Sequence, residues 1–138
     1  MSSQIDKLVR EVSSWPGISI HAHRFGGTEF RLGDAEVGHV HPGGVVDIPF
    51  PRAVRNVLLG EKLAEPHHWL PNSGWIAFHC RESEDLRHGC WLLRLSYLRY
   101  TLKTASDPQG WLQQEKERLQ ISPEIAELLE KFAPAIAA

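Results

Sequence analysis

The chain has 138 residues, 42% of them hydrophobic and 23% charged, with a formal net charge of -2. A chain of that length buries roughly 70% of its unfolded surface in one core, and this balance belongs to a globular domain, not a disordered or fibrous chain. The small charge argues against a partner held by bulk electrostatics, such as DNA, RNA or an anionic membrane, and no apolar run approaches the ~20 residues of a membrane helix.

The opening MSSQIDKLVREVSS is charged where a secretory leader is apolar, and Cys80 and Cys90 are too few for a secreted disulfide framework. They are not spaced as a Cys-x-x-Cys redox pair either. Both features point to a cytoplasmic chain with two buried thiols.

Helical spacing of Ile5, Leu8, Val9 and Val12 predicts a helix over 4–14, capped by Ser2 or Ser3 and stopped at Trp15-Pro16-Gly17. Strands follow at 18–25, 28–32, 36–41 and 45–50, separated by Gly26-Gly27, Gly33-Asp34 and Pro42-Gly43-Gly44. Turns this tight make consecutive strands antiparallel, because parallel pairs need long crossovers. Pro51 opens a short helix over 52–61, since proline fits a first helical turn. The stretch 64–73 reads as a loop and 75–80 as a fifth strand. Ser83 is read as the cap of a long helix to about Lys103, with Leu86, Cys90, Leu93 and Tyr97 on one stripe and Trp91, Leu95 and Leu98 beside it. Two shorter helices over 110–119 and 123–132 close the chain. The fold class is therefore α+β: an antiparallel meander of about five strands between an N-terminal helix and a long C-terminal one. Residues 1–104 form the domain, and 105–138 a helical extension packed on it or on a partner subunit.

Eight histidines stand out, four of them in two His-x-His pairs, His21/His23 and His39/His41. Side chains two apart on a strand share a face, so adjacent strands in phase can bring four imidazoles together, a set that suits zinc, copper, nickel or iron. Gly38-His39-Val40-His41 also echoes the first cupin motif, but Pro42-Gly43-Gly44 stands where that motif has its glutamate. The reading is therefore of a site with no metal and no cofactor, metal ligation being the alternative. Glu29 and Arg31 are in phase on the second strand, as a cross-strand ion pair or as flanks of a polar ligand. Asp47 interrupts the apolar run 45–50, either exposed at an edge or paired with Arg52 or a histidine. Arg52 starts a helix whose dipole it does not complement, so it is free for an anion or for Asp47. His67 and His68 are neighbours on a loop, so no more than one of them faces any given pocket. Trp75 is read as core. Gly-x-Ser-x-Gly, Walker and Gly-x-Gly-x-x-Gly motifs are absent, which disfavours a serine hydrolase and the usual nucleotide-binding devices.

Five segments carry a family resemblance: Ser14-Trp15-Pro16-Gly17; His23-Arg24-Phe25-Gly26-Gly27-x-Glu29-Phe30-Arg31-x-Gly33; Glu36-x-Gly38-His39-x-His41; Asp47-Ile48-Pro49-Phe50-Pro51; and Glu65-Pro66-His67-His68-x-x-Pro71-x-Ser73-Gly74-Trp75. Over roughly residues 5–100 the chain resembles the small bacterial proteins that carry a luciferase domain. That resemblance marks Arg24, Glu29, Arg31, His39, His41, Asp47, His67 and His68 as positions to watch and implies no role for any of them. A barrel-type flavin luciferase takes about 250 residues and does not fit this chain. In element order the chain is also similar, more distantly, to the MmcQ/YjbR proteins, whose double-wing α+β fold is associated with DNA binding.

The leading expectation is a small-molecule- or partner-binding module, its pocket lying where the meander meets the 66–75 loop. The alternative is an enzyme using His39/His41 with Asp47 or Glu29 as metal ligands or acid–base groups. Double-wing nucleic-acid binding comes third, opposed by the net charge. The expected partners are a small molecule and a second copy through the C-terminal helices, with no membrane.

Overall fold

Glycine-punctuated strands pair as the turn chemistry requires in the computed structural model, which describes residues 3–134. The elements are α1 (Ser3–Ser13), β1 (Ile18–Ala22), β2 (Thr28–Leu32), β3 (Ala35–Val40), β4 (Val45–Pro49), α2 (Arg52–Gly60), β5 (Glu65–Pro66), β6 (Trp75–His79), α3 (Asp85–Thr101), α4 (Pro108–Leu119) and α5 (Pro123–Glu130). All strand pairs are antiparallel, in the order β1-β2-β3-β4-β6-β5. This is an α+β fold. No helix among the described residues is long and apolar enough to cross a membrane.

Two details of the element reading differ, and a third lies outside what the structure describes. A sixth strand, β5, lies inside the 64–73 stretch: Glu65 and Pro66 pair with Ala77 and Ile76 at the sheet edge, where a proline without its N–H is tolerated. The long helix starts at Asp85, and its first turn is tied by the Asp85 carboxylate accepting the backbone N–H groups of Arg81 and Glu82, not by a Ser83 side-chain cap. The cap read at Ser2 or Ser3 lies outside the described side chains.

The sheet has two chemically distinct faces. Phe30, Val40, Val46, Ile48 and Ile76 are buried on one of them, together with Leu92, Leu93 and Leu95 of α3. Each such side chain contributes roughly 1.5–3 kcal/mol on burial. Close approach is enforced at Gly38, where an added Cβ would lie 2.6 Å from Leu93 Cδ2. The Ser96 hydroxyl donates to the Val37 carbonyl at 2.7 Å, and the Tyr97 hydroxyl to the Pro16 carbonyl at 2.6 Å. Leu8 and Val12 of α1 extend the same core, as do Leu112, Ile125 and Leu129 from the C-terminal helices and Ile121 between them.

α4 is fastened by a buried ion pair. Glu115, 1% exposed, takes Arg94 Nε at 2.5 Å and Arg118 Nε at 2.8 Å. The Arg94 guanidinium lies over the rings of Tyr97, Trp15 and Trp111 at 4.8, 5.0 and 5.6 Å.

On the opposite face the register builds one row across all six strands: His21, Glu29, His39, Asp47, Ala77 and Glu65. Directly opposed residues of antiparallel strands share a face. Four of these six are therefore histidines or acids brought side by side by hairpin register alone, with a fifth, Glu65, at the far edge.

Candidate functional site

Asp47 is the centre of the row. It sits on an interior strand, 1% exposed, and its Oδ2 lies 2.8 Å from His41 Nε2, 3.2 Å from His39 Nε2 and 3.5 Å from His67 Nε2. Its Oδ1 is buried with no hydrogen-bond partner. Burial raises the Asp47 pKa, but hydrogen bonds from His39 and His41 outweigh it and hold the carboxyl below its usual value. The Asp47–Arg52 pairing left open by the sequence is not formed: three imidazoles occupy the carboxylate, and Arg52 is exposed on the first residue of α2.

His39 is held from both ends. Its Nδ1 lies 2.6 Å from Glu36 Oε2 while its Nε2 faces Asp47. Burial lowers its pKa, yet the two carboxylates raise it to about 9. Glu36 reaches His39 because of a β-bulge. Phe30 pairs with Gly38 but Arg31 pairs with Glu36, so Val37 is an extra residue and the alternation changes phase there. Residues three apart thus share the polar face.

Beside His39 stands a second imidazole–carboxylate pair. His23 Nδ1 is 2.9 Å from Glu29 Oε1, and Arg31 Nε donates to Glu29 Oε2. Burial raises the Glu29 pKa, but the Arg31 and His23 contacts bring it below the ordinary range. The His23 and His39 rings stack at 3.8 Å, and His41 meets His39 edge-on at 4.9 Å. One ring nitrogen from each of His23, His39 and His41 lies within 4.8 Å of the other two.

The 66–75 loop closes the site from the other side. His67 Nδ1 accepts the backbone N–H groups of Trp69 and Leu70, both at 3.2 Å, and its Nε2 faces Asp47. Burial is the main cause holding its pKa below the usual imidazole value. The Trp75 ring lies 5.5 Å from His39 and 6.1 Å from His67. Arg55 of α2 ties the loop by donating to the Pro71 carbonyl, and Gly74 gives room: a Cβ there would lie 1.7 Å from the Phe50 carbonyl oxygen.

Of the residues singled out from sequence, Glu29, Arg31, His39, His41, Asp47 and His67 come together. Arg24 is exposed on the turn that carries His23, and His68 is exposed, stacked on His67 at 4.9 Å. The four-imidazole meeting of the two His-x-His pairs is corrected: β1 ends at Ala22 and the chain turns, so His23 reaches the site while exposed His21 bonds Ser19 Oγ at 2.8 Å. His67 is the imidazole that replaces it near Asp47. Glu36 is the member not picked out as a site residue, and His23 was read only as half of a His-x-His pair. Trp75, read as core, is half-buried against the site's rings. A cleft of about 840 Å³ lies elsewhere, between α1, α3 and the end of α4, and shares no residue with the histidine face.

Residues 34–96 match the family model described as Luciferase domain, which bears out the resemblance over a shorter span than the motifs suggested. The span contains Glu36, His39, His41, Asp47, His67 and Trp75, and it begins after His23, Glu29 and Arg31. No curated protein and no solved structure matches the chain.

Proposed function

We propose, from the premise that residues 34–96 are a luciferase domain, that the chain is a small-molecule-binding module whose ligand sits on the histidine face. One observation carries the reading. A cluster of polar side chains is drawn together by register, bulge, turn and loop, and large apolar side chains stand unburied on the two segments that complete it. Phe25, 84% exposed, follows His23 by two residues in the same turn; Trp69, 75% exposed, has its ring 4.7 Å from His68 and 6.3 Å from His67. Phe25 also has φ +59, a left-handed conformation disfavoured for an L side chain. Exposed aromatics beside buried hydrogen-bonding groups suit a small organic molecule with a flat apolar body and a polar end.

Benzoate is the probe, since it has a ring for the aromatics and a carboxylate for the imidazoles and Arg31. A ligand this small binds with a dissociation constant on the order of 1 mM. Titration into the ¹⁵N-labelled chain should shift the amides of Phe25, His41, Trp69 and Trp75 saturably, with several-fold weaker binding in Phe25→Ala and Trp69→Ala. Shifts scattered over the surface, or binding indifferent to both substitutions, would remove the reading.

A further inference from the structure

The geometry points to a resident divalent transition-metal ion, zinc in the first instance, ligated by His23, His39, His41 and Asp47. This runs against the sequence expectation of a metal-free site. It shares the histidine face with the binding reading but requires no organic ligand there.

The ligand set follows from which imidazole nitrogens are already engaged. A neutral imidazole has one N–H and one lone pair, and a metal takes the lone pair. His23 and His39 each turn Nδ1 to a carboxylate, Glu29 and Glu36 respectively. With an ion bound, the N–H belongs on Nδ1 and Nε2 gives its lone pair to the metal; in the metal-free chain the His39 Nε2–H donates to Asp47, and the ion displaces that proton. A carboxylate behind the distal nitrogen is the usual support of a metal-ligating histidine, fixing its tautomer and its ring. Arg31 in turn fixes Glu29. His41 presents Nε2 to Asp47 beside the Nε2 of His39.

His67 is different. Its Nδ1 accepts two backbone N–H groups, which places its proton on Nε2 facing Asp47. It can donate to the carboxylate, and it cannot ligate through Nε2 without losing its only ring N–H and becoming an imidazolate. His67 is therefore a positioning residue for Asp47 and the loop, and the other three histidines are the ligands.

The distances agree with this division. Four donors around a tetrahedral zinc at about 2.1 Å lie about 3.4 Å from one another. Asp47 Oδ2 is 2.8 Å from His41 Nε2 and 3.2 Å from His39 Nε2, within a few tenths of an ångström of that spacing. His23, stacked on His39 at 3.8 Å with one ring nitrogen within 4.8 Å of one on each of the other two histidines, has to tilt for its lone pair to meet the same ion. An independent observation is the second Asp47 oxygen, fully buried and without a partner. Orphaned buried carboxylate oxygens call for an explanation such as an ion. Three nitrogens and one oxygen exclude magnesium and calcium, which take oxygen ligands, and fit zinc, iron, cobalt, nickel or copper.

The test uses the full chain without a histidine tag, stripped with chelator and titrated with Zn²⁺ and with Co²⁺. One equivalent of each should bind, with visible Co²⁺ bands of a four-coordinate site, a raised melting temperature and no competition by Mg²⁺. His39→Ala and His41→Ala should lose stoichiometric binding, and Glu36→Gln should weaken it roughly 10–100-fold. His21→Ala should bind as the parent does, and His67→Ala should keep one equivalent. No stoichiometric binding by the parent overturns the inference. So does loss of metal in His67→Ala or His21→Ala equal to that in His41→Ala. Far-UV circular dichroism verifies the fold of each variant; if His39→Ala does not fold, the parent's Co²⁺ spectrum and Glu36→Gln decide. Benzoate binding to the stripped protein is a separate readout, so either proposal can fail alone.

Discussion

Replacing Glu115 tests whether the C-terminal helices are part of the fold. Its carboxylate is 1% exposed and neutralises Arg94, itself 9% exposed among three aromatic rings. Glu115→Ala leaves that guanidinium buried without its counter-ion, a change that costs about 3–5 kcal/mol. With an unfolding entropy of about 2.1 cal/mol/K per residue over 138 residues, 1 kcal/mol is roughly 3 °C, so the melting temperature should fall by roughly 10–17 °C. Glu115→Gln keeps an acceptor and loses only the charge, so about 1.5–3 kcal/mol is expected. The pH dependence has a definite sign. Burial raises the Glu115 pKa, but hydrogen bonds from Arg118 and Arg94 bring it below the ordinary value. The folded state then binds the proton less readily than the unfolded one. The contribution is present in full above the unfolded glutamate pKa of about 4.3 and is lost as pH falls through the lowered folded value. Urea unfolding of parent and Glu115→Gln from pH 7 downward should show the gap between them closing in acid. A double-mutant cycle should give stronger coupling to Arg94 than to Arg118, which is half exposed and screened by water. A fall under about 3 °C for Glu115→Ala, or a gap that does not change with pH, would refute the reasoning.

Gly38→Ala should destabilise by about 1–3 kcal/mol, because the new methyl meets Leu93 Cδ2 at 2.6 Å and the Asp47 carbonyl oxygen at 3.1 Å. Combining it with Leu93→Ala should cost less than the sum of the two, and strict additivity in urea unfolding would show that the contact is not the cause. Phe25→Gly should raise stability by roughly 0.5–1 kcal/mol, since it relieves the left-handed backbone at φ +59 without removing a buried side chain. A lower urea midpoint at unchanged slope would show that the ring supports the fold and is not held ready for a ligand.

Strand alternation made much of the site legible, and its interruptions hid the rest. Glu29, Arg31, His39 and Asp47 follow from period two plus hairpin register. Glu36 does not, because period two puts it on the opposite face from His39; only the bulge at Val37 reverses that, and no glycine or proline at Val37 announces it. The His21/His23 pair misleads for a related reason. The strand stops between its members, and a turn with Phe25 in the left-handed region carries His23 back over the sheet. Adjacent His67 and His68 stack on each other, so loop position alone does not separate them; only His67 is buried against Asp47, and that choice rests on two backbone N–H bonds that the sequence does not display. Glu115 was silent because a glutamate on a charged terminal helix is ordinarily solvated; its partner, Arg94, lies 21 residues earlier on the buried side of α3.

The fold itself needs only one face of this sheet. Phe30, Val40, Val46, Ile48 and Ile76 already meet α3, and the other face could carry threonines and lysines in water. Instead Asp47, Glu29, His39 and His67 are all under 10% exposed there, and desolvating a charged group costs several kcal/mol. Repayment comes from a turn, a bulge and a tethered loop that each deliver an imidazole or a carboxylate to within hydrogen-bonding reach of the next. Devices that disturb a regular sheet in order to bury charge are not accounted for by stability, because threonines on unbroken strands would serve it better. They are accounted for if the converging imidazoles and the spare Asp47 oxygen have something to hold.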